Sequence, residues 1–413
     1  MRFVLAIQTA YTDHRSGAAH SMRIMTEWLA AAGHECRVLA TARFDGLAMN
    51  ADEHVAALGV PVRRLPPSKE AGGGFRPTVQ FDWHGVPVTM IMTRERDPRQ
   101  PDKNEARQFL RLFDVTAERF RPDVVYTYGG SPALLEMMKH ARQRGIVTVF
   151  SLRNHGYDDR RYYQHADHVF SCSAWLSDFY RRRIGLRSTG LASPIAWSEV
   201  EAPAEGRSFV TFVNPSPQKG LLLFARLVQM LGDTRPDIPI LVVQSAMDAS
   251  YLVSLPGLDF ARYPQLVASP ALTEPADIFS VTKLLLVPST FAEPFGRIAA
   301  EAMINGVPPL VSDRGSLPET VGDGGIVLPL PEWLDETQRR LPSAEEAQPW
   351  FDAVVRLWDD AAAYAAASAR ASAAARRLYD EAALRQRYIQ YFTTLRPGAA
   401  LFDDPAEAQT VEG

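Results

Sequence analysis

Short apolar runs alternate along this chain with longer segments of helical periodicity. Residues 2–7 (RFVLAI) are apolar throughout, the pattern of a strand buried on both faces. A loop with Gly17 follows. Met22, Met25, Leu29 and Ala32 then recur at helical spacing, and Gly33 stands where a helix-capping glycine would. CRVLAT returns as a strand. The unit repeats with VVYTY at 124–128, a helix from about Pro132 to Arg144 closed by Gly145, and IVTVF at 146–150. DHVFSCS then runs into a helix through Phe179 and Tyr180. Apolar strands with helices between them predict a parallel sheet covered on both faces.

Residues 61–105 break this rhythm. PPSKEAGGG reads as a flexible polar loop, TVQFDW and PVTMIMT as two short strands, and the whole as an excursion within the first domain. Residues 191–207 have the composition of a linker. A second series begins at Ser208: strand SFVTFV, loop NPSPQKG, helix LLLFARLVQML, strands ILVVQS and KLLLVPS, a helix near 297–305, and strands PPLVS and GGIVLPL. Residues 343–395 read as helical and alanine-rich, and 396–413 as a disordered acidic tail. The expected organisation is therefore two Rossmann-like, doubly wound α/β domains, 1–190 and 208–375, with a terminal helix over 376–395 packing back on the first. Such sheets bind ligands at the carboxyl ends of their strands, so a cleft between the halves is the expected site.

Composition narrows the function. A chain of 413 residues is too long for one ordinary core. Its formal net charge of -4 argues against a nucleic-acid binder, which needs clustered excess Lys and Arg. The two cysteines, Cys36 and Cys172, sit in apolar strand-like contexts and read as reduced thiols of a cytoplasmic protein. CxxC and HExxH are absent, and so are a signal peptide and an apolar run long enough to span a bilayer. Peripheral contact with a membrane surface stays open.

The most informative stretch is VPSTFAEPFGRIAAEAMINGVPPLVSDRGSLPETVGDGG. A strand ends at Val287, a loop with Pro288 and Pro294 leads to Gly296, and a helix runs to Asn305 before Gly306. A helix start at the carboxyl end of a parallel strand is suited to an anion, because its first N–H groups point outward and its dipole favours negative charge. Glu293 lies just before that helix. Glu301 lies within it, and helical side chains lean back toward the N-terminus.

The run E-P-F-G-R-I-A-A-E resembles the Glu-x7-Glu signature of retaining glycosyltransferases of the GT-B fold, family four (glycosyl transferases group 1), and N-G-V-P-P-L-V-S-D-R-G-S-L-P-E-T-V resembles its continuation. The resemblance implies two Rossmann-like domains facing across a cleft, acceptor-binding first and donor-binding second. It implies that Glu293 binds hydroxyls of a donor sugar and Glu301 those of the ribose. Backbone amides of Phe295, Gly296 and Arg297 would meet the sugar and diphosphate. A carboxylate suits such a task because it can accept two hydroxyl protons in a bidentate manner.

Further matches extend the resemblance. Lys219, before Gly220, fits a basic position on the donor phosphates, but Asn214 and Pro215 stand where family members commonly have Arg. Arg297 or Arg314 are the candidates to compensate. His155, just after IVTVF, matches a His that contacts the donor sugar, and HADHVFSCSAWLSDFY resembles the downstream pattern. Gly17 lies in the first loop, where most members have Gly-Gly. The order of elements implies that the base sits against backbone near Val267, Ala268 and Ser269.

The implied activity is transfer of a sugar, with retention and without metal or cofactor, from a nucleotide sugar to a small-molecule, glycan or lipid-linked acceptor. Loops 11–20, 66–80 and 153–163 would select that acceptor. Two alternatives are another GT-B enzyme, such as a nucleotide-sugar epimerase or a phosphorylase, and a non-catalytic sugar-nucleotide-binding protein.

Overall fold

The computed structural model describes residues 1–13, 16–44, 50–67, 74–93, 101–244, 262–270 and 274–403. Residues 68–73 of the expected polar loop and 404–413 of the expected tail lie outside them. The chain divides into two compact units, Met1–Pro194 with Ala382–Gly413, and Ile195–Glu381.

The first unit runs β1 (Arg2–Ala6), α1 (Gly17–Ala31), β2 (Glu35–Thr41), α2 (Ala51–Ala57), β3 (Arg63–Leu65), β4 (Thr78–Trp83), β5 (Val86–Ile91), α3 (Lys103–Phe120), β6 (Val124–Thr127), α4 (Pro132–Gln143), β7 (Val147–Leu152), β8 (His168–Ser171), α5 (Ala174–Ile184) and β9 (Thr189–Gly190). Among the described residues its sheet has nine strands, in the order β3-β4-β5-β2-β1-β6-β7-β8-β9. The excursion at 61–105 is part of this sheet: β5 pairs parallel with β2, and β4 and β3 add antiparallel at the edge. Helix α3 was not anticipated from sequence, although its signals are ordinary. Asp102 caps it by accepting from the Asn104 and Glu105 amides, and Phe109, Phe113, Ala117 and Phe120 line its buried face. Helix α1 begins at Gly17 itself, with Ser16 as its N-cap, so Gly17 is helical rather than a loop residue.

The C-terminal helix, Glu381–Thr394, returns to this unit. Phe392 meets Phe3, Tyr126 and Phe170 edge to face or nearly so, and the Tyr388 hydroxyl donates to Ala192 O at 2.9 Å. Beyond it, residues 396–403 are not a free tail. Gly398 N donates to Asp167 Oδ1 at 2.9 Å, and Phe402 forms an antiparallel bridge with Leu186.

The second unit runs β10 (Phe209–Val213), α6 (Leu221–Thr234), β11 (Ile240–Val243), β12 (Leu266–Ser269), α7 (Pro275–Val281), β13 (Thr282–Val287), α8 (Arg297–Ile304), β14 (Pro309–Ser312), α9 (Leu317–Val321), β15 (Ile326–Leu328), α10 (Ala344–Asp359) and α11 (Ala361–Leu378). Among the described residues its sheet has six strands, all parallel, in the order β12-β11-β10-β13-β14-β15. Phe212 of β10 stacks on Phe224 of α6 at 4.3 Å, within a core that also buries Trp350 of α10 completely. The helical stretch at 343–395 is broken at Asp360, whose carboxylate caps α11 by accepting from Ala363 N. Residues 195–207 of the expected linker belong to this unit. Trp197 N donates to Glu381 Oε2 and its indole N–H to Tyr379 O, each at 2.9 Å.

Candidate functional site

Strands β10 and β13 are hydrogen-bonded neighbours, so the loops leaving their carboxyl ends lie side by side. The amides of Thr290 and Phe291 both donate to Gln218 O, at 3.0 and 3.2 Å, and the Thr290 hydroxyl donates to Pro217 O at 2.9 Å. Gly220, at φ +88°, makes this approach possible: a Cβ there would stand 1.8 Å from Pro288 O. The turn carrying Lys219 is thereby fixed against the loop carrying Glu293.

Glu293 is 6 % exposed. Its Oε1 accepts from Lys219 Nζ at 2.6 Å and from the fully buried Ser289 hydroxyl at 2.8 Å. Ser289 O in turn accepts from the Ser312 hydroxyl at 2.7 Å. The backbone of Glu293 is held as well. Its carbonyl accepts from Ser316 N at 2.8 Å, and Gly315, at φ +62°, packs so closely that a Cβ would lie 2.3 Å from Glu293 N. Both of these hydrogen bonds of the carboxylate converge on Oε1.

Helix α8 begins after Gly296, at φ +75°, where a Cβ would meet Leu317 Cδ2 at 2.5 Å. Phe295 is a structural anchor: its ring lies edge-on to Tyr379 at 5.8 Å and its carbonyl accepts from the Thr320 hydroxyl. Arg297 occupies the first helical position, where the dipole disfavours a cation, and no acidic residue lies in that turn. Its Nε lies 2.6 Å from Glu301 Oε1, with both side chains largely buried. Burial raises the Glu301 carboxyl above its ordinary value, and the Arg297 guanidinium opposes that shift. The structure thus brings Lys219, Glu293, Phe295, Gly296, Arg297 and Glu301 to the loops and helix start that follow the carboxyl ends of β10 and β13, the central strands of the second unit's sheet.

Ala268 stands apart on β12, the outer strand, three places from β13. Val267 and Ala268 of β12 are exposed residues. Asn214, at the end of β10, adopts φ +61°, a left-handed conformation uncommon outside glycine, and its buried Oδ1 has no hydrogen-bond partner among the described residues. Arg314 turns toward β15, donating to Pro331 O at 3.2 Å.

In the first unit, Gly17 opens α1, and Ser16 Oγ accepts from Ala19 N at 3.5 Å. His155, in the loop after β7, lies edge-on to Phe179 at 4.9 Å and to Trp175 at 5.8 Å. Arg153, before His155 in the same loop, is buried. It is 6 % exposed, donates to Ser151 and Ser193, and lies over the Phe170 ring. Arg161 pairs with Asp159.

Ser289, Ser312, Gly315 and Thr320 were not singled out from sequence as site residues. Ser289, Ser312 and Gly315 lie inside the quoted motif, but their value depends on β14 and α9 folding beside β13, which spacing alone does not show. Both cysteines are buried free thiols. Among the described residues no helix is long and apolar enough to cross a membrane, and no three His, Cys, Asp or Glu side chains are grouped as a metal would need.

Two family models match the chain: a glycosyl transferase 4-like domain over residues 16–193 and glycosyl transferases group 1 over residues 268–335. No curated protein matches it. Among solved structures, HepE of Anabaena in complex with UDP is similar with a TM-score of 0.67 at 15% identity, covering 96% of this chain and 100% of that one. Sucrose-phosphate synthase of Thermosynechococcus elongatus gives 0.64 at 16% identity, over 96% and 100% of the two chains. The pneumococcal O-GlcNAc transferase GtfA, in complex with UDP and GlcNAc, gives 0.61 at 12% identity, over 95% and 98%.

Proposed function

Given that the chain is a glycosyltransferase of the GT-B fold, we propose that it moves a sugar from a nucleoside-diphosphate sugar to an acceptor hydroxyl with retention at the anomeric carbon. The observation that carries this reading is the convergence of Lys219, Glu293, Arg297 and Glu301 where β10 and β13 end.

In this reading the donor lies across the carboxyl ends of the strands. Parallel neighbours are about 4.8 Å apart, so the step from β13 to β12 spans about 14 Å. The sugar lies at Glu293, the diphosphate at Lys219 and the start of α8, and the base beside Ala268. Oε1 of Glu293 is held by Lys219 and Ser289, which leaves Oε2 for a sugar hydroxyl. Glu301 accepts from the ribose, with Arg297 holding its carboxylate in place.

The leaving diphosphate gains negative charge as the glycosidic bond breaks. Lys219 and the amides at the start of α8 stabilise that charge without reorganisation, and no metal or cofactor is invoked. A loose transition state of this kind needs leaving-group stabilisation more than a protein nucleophile. The acceptor hydroxyl gives its proton to the departing phosphate. His155 and its loop belong to the substrate-contacting loops of the first unit.

Nucleotide sugars bound in the related structures support the class of donor: HepE was also solved with UDP-glucose. The test is a thermal-shift screen of nucleoside diphosphates and nucleotide sugars: a ligand that binds only the folded state at 100 times its Kd stabilises it by about 2.7 kcal/mol and so raises the protein's melting temperature. At least one nucleotide should do so, and Glu301→Gln should reduce the shift. No shift with any nucleotide overturns the proposal. A binding-only reading draws on Asn214, which leaves the diphosphate without the usual second cation. Slow hydrolysis of a bound nucleotide sugar excludes it.

A further inference from the structure

We propose that residues 396–403 form a strap that positions the loop carrying His155, with Phe402 and Asp403 as positioning residues. The functional meaning of that loop rests on the proposal above; the strap itself rests on separate contacts.

The strap is fastened at both ends. At its start, His168 Nε2 donates to Arg396 O at 2.6 Å and Gly398 N donates to Asp167 Oδ1 at 2.9 Å. At its end, Arg187 N donates to Leu401 O at 2.7 Å and Asp403 N to Gly185 O at 2.9 Å, flanking the Leu186–Phe402 bridge. The Asp403 carboxylate lies 2.6 Å from Arg187 Nε and 3.2 Å from Arg181 Nε. These two guanidinium groups hold it below the usual carboxylate range, Arg187 contributing most. Surface ion pairs are individually weak, so the backbone bridge matters more than the charges.

Phe402 connects this strap to the loop. The Arg160 guanidinium lies 4.5 Å over its ring and also donates twice to Ile184 O, and the Tyr163 ring meets it edge-on at 6.1 Å. Tyr163, 1 % exposed, donates its hydroxyl to Tyr157 O at 2.9 Å. Tyr157 N donates to the Tyr180 hydroxyl at 3.1 Å, and that hydroxyl donates to Asn154 O at 3.2 Å. The backbone on both sides of His155 is therefore anchored: at Tyr157 through Tyr163, which Phe402 meets edge-on, and at Asn154 through the Tyr180 hydroxyl, to which Tyr157 N also donates. A loop that must present one imidazole gains from such fixing, because its unfastened form would populate many arrangements.

Amide exchange in the otherwise intact protein tests this. Ending the chain after Pro397, or making Phe402→Ala, should speed exchange across residues 153–163 about ten-fold while the second unit is unchanged. Ending it after Asp403 should change nothing, and Phe402→Tyr should restore slow exchange. Asp403→Asn, a milder change, should give a smaller acceleration in the same loop. Unchanged exchange at 153–163 after loss of the strap overturns the proposal, as does acceleration spread evenly over the unit. If His155→Ala leaves sugar transfer intact while Phe402→Ala still frees the loop, the loop's substrate role fails and the strap stands.

Discussion

Lys219 and Glu293, 74 residues apart in sequence, meet at 2.6 Å between Nζ and Oε1. The contact joins the ends of two adjacent parallel strands, and each partner has a different environment. The Glu293 side chain is 8 % exposed and that of Lys219 is 35 % exposed. The lysine can thus face a diphosphate while still fixing the carboxylate beside it.

Replacing Glu293 with Gln keeps an oxygen for the Ser289 and Lys219 donors but removes the charge. Turnover of a nucleotide sugar should fall about 100-fold or more, while the melting temperature moves by no more than about 3 °C. Equal loss of folding and activity, read by steady-state rates beside a thermal melt, would count against a direct role.

Gly315 holds the backbone of the same residue. With φ +62° and a would-be Cβ 2.3 Å from Glu293 N, Gly315→Ala must displace the loop. A cost of about 2–4 kcal/mol is expected in denaturant unfolding, together with loss of turnover. Gly206→Ala is the control: it also has positive φ, but no atom lies within 4 Å of its Cβ, so only the strain of the left-handed backbone should appear.

Glu301 predicts a pH dependence. Burial raises its carboxyl above the ordinary 4.5, so the folded state binds a proton more readily than the unfolded chain. Its contribution to stability is present below 4.5 and is lost as pH rises through the raised value. Nucleotide affinity should follow the opposite course. As pH falls, binding should weaken at a pH above the ordinary carboxylate range, because the protonated group accepts fewer hydroxyl protons. Calorimetric titration across pH should show this limb in the wild type and not in Glu301→Gln.

Arg43 and Glu105 form a buried bidentate pair in the first unit, at 2.9 and 2.7 Å with 1 % of each side chain exposed. Glu105→Ala strands a buried guanidinium and should cost about 3–5 kcal/mol, whereas joint replacement by Met and Leu should restore most of it. Denaturant midpoints of the wild type and the two variants decide this.

Much of this was legible in the sequence, for reasons that also mark its limits. Strands such as VVYTY and KLLLVPS are buried on both faces, so apolar runs identify them without knowledge of their neighbours. The Glu293 to Glu301 spacing is local to one loop and one helix, so it too reads directly. The anchoring of Glu293 by Ser289, Ser312 and Gly315 is not local, because it depends on β14 and α9 folding beside β13. Helix α3 begins at the end of the irregular stretch 61–105 and continues through residues for which no element is read from sequence, although its apolar positions Phe109, Phe113, Ala117 and Phe120 have helical spacing. The expected contact of Phe295 is through its backbone amide, and the packing of its ring on Tyr379, which no local spacing shows, fixes that backbone. The strap at 396–403 looked like a solvated tail because its few apolar residues, Leu401 and Phe402, find partners far away in sequence.

The most direct measurement is release of nucleoside diphosphate from a panel of nucleotide sugars by wild-type protein and by Glu293→Gln. Release from at least one donor by the wild type, reduced about 100-fold in the variant with nucleotide binding retained, is the predicted result. Release at the same rate by both proteins, or from no donor that binds, contradicts the assignment of Glu293 to the reacting sugar.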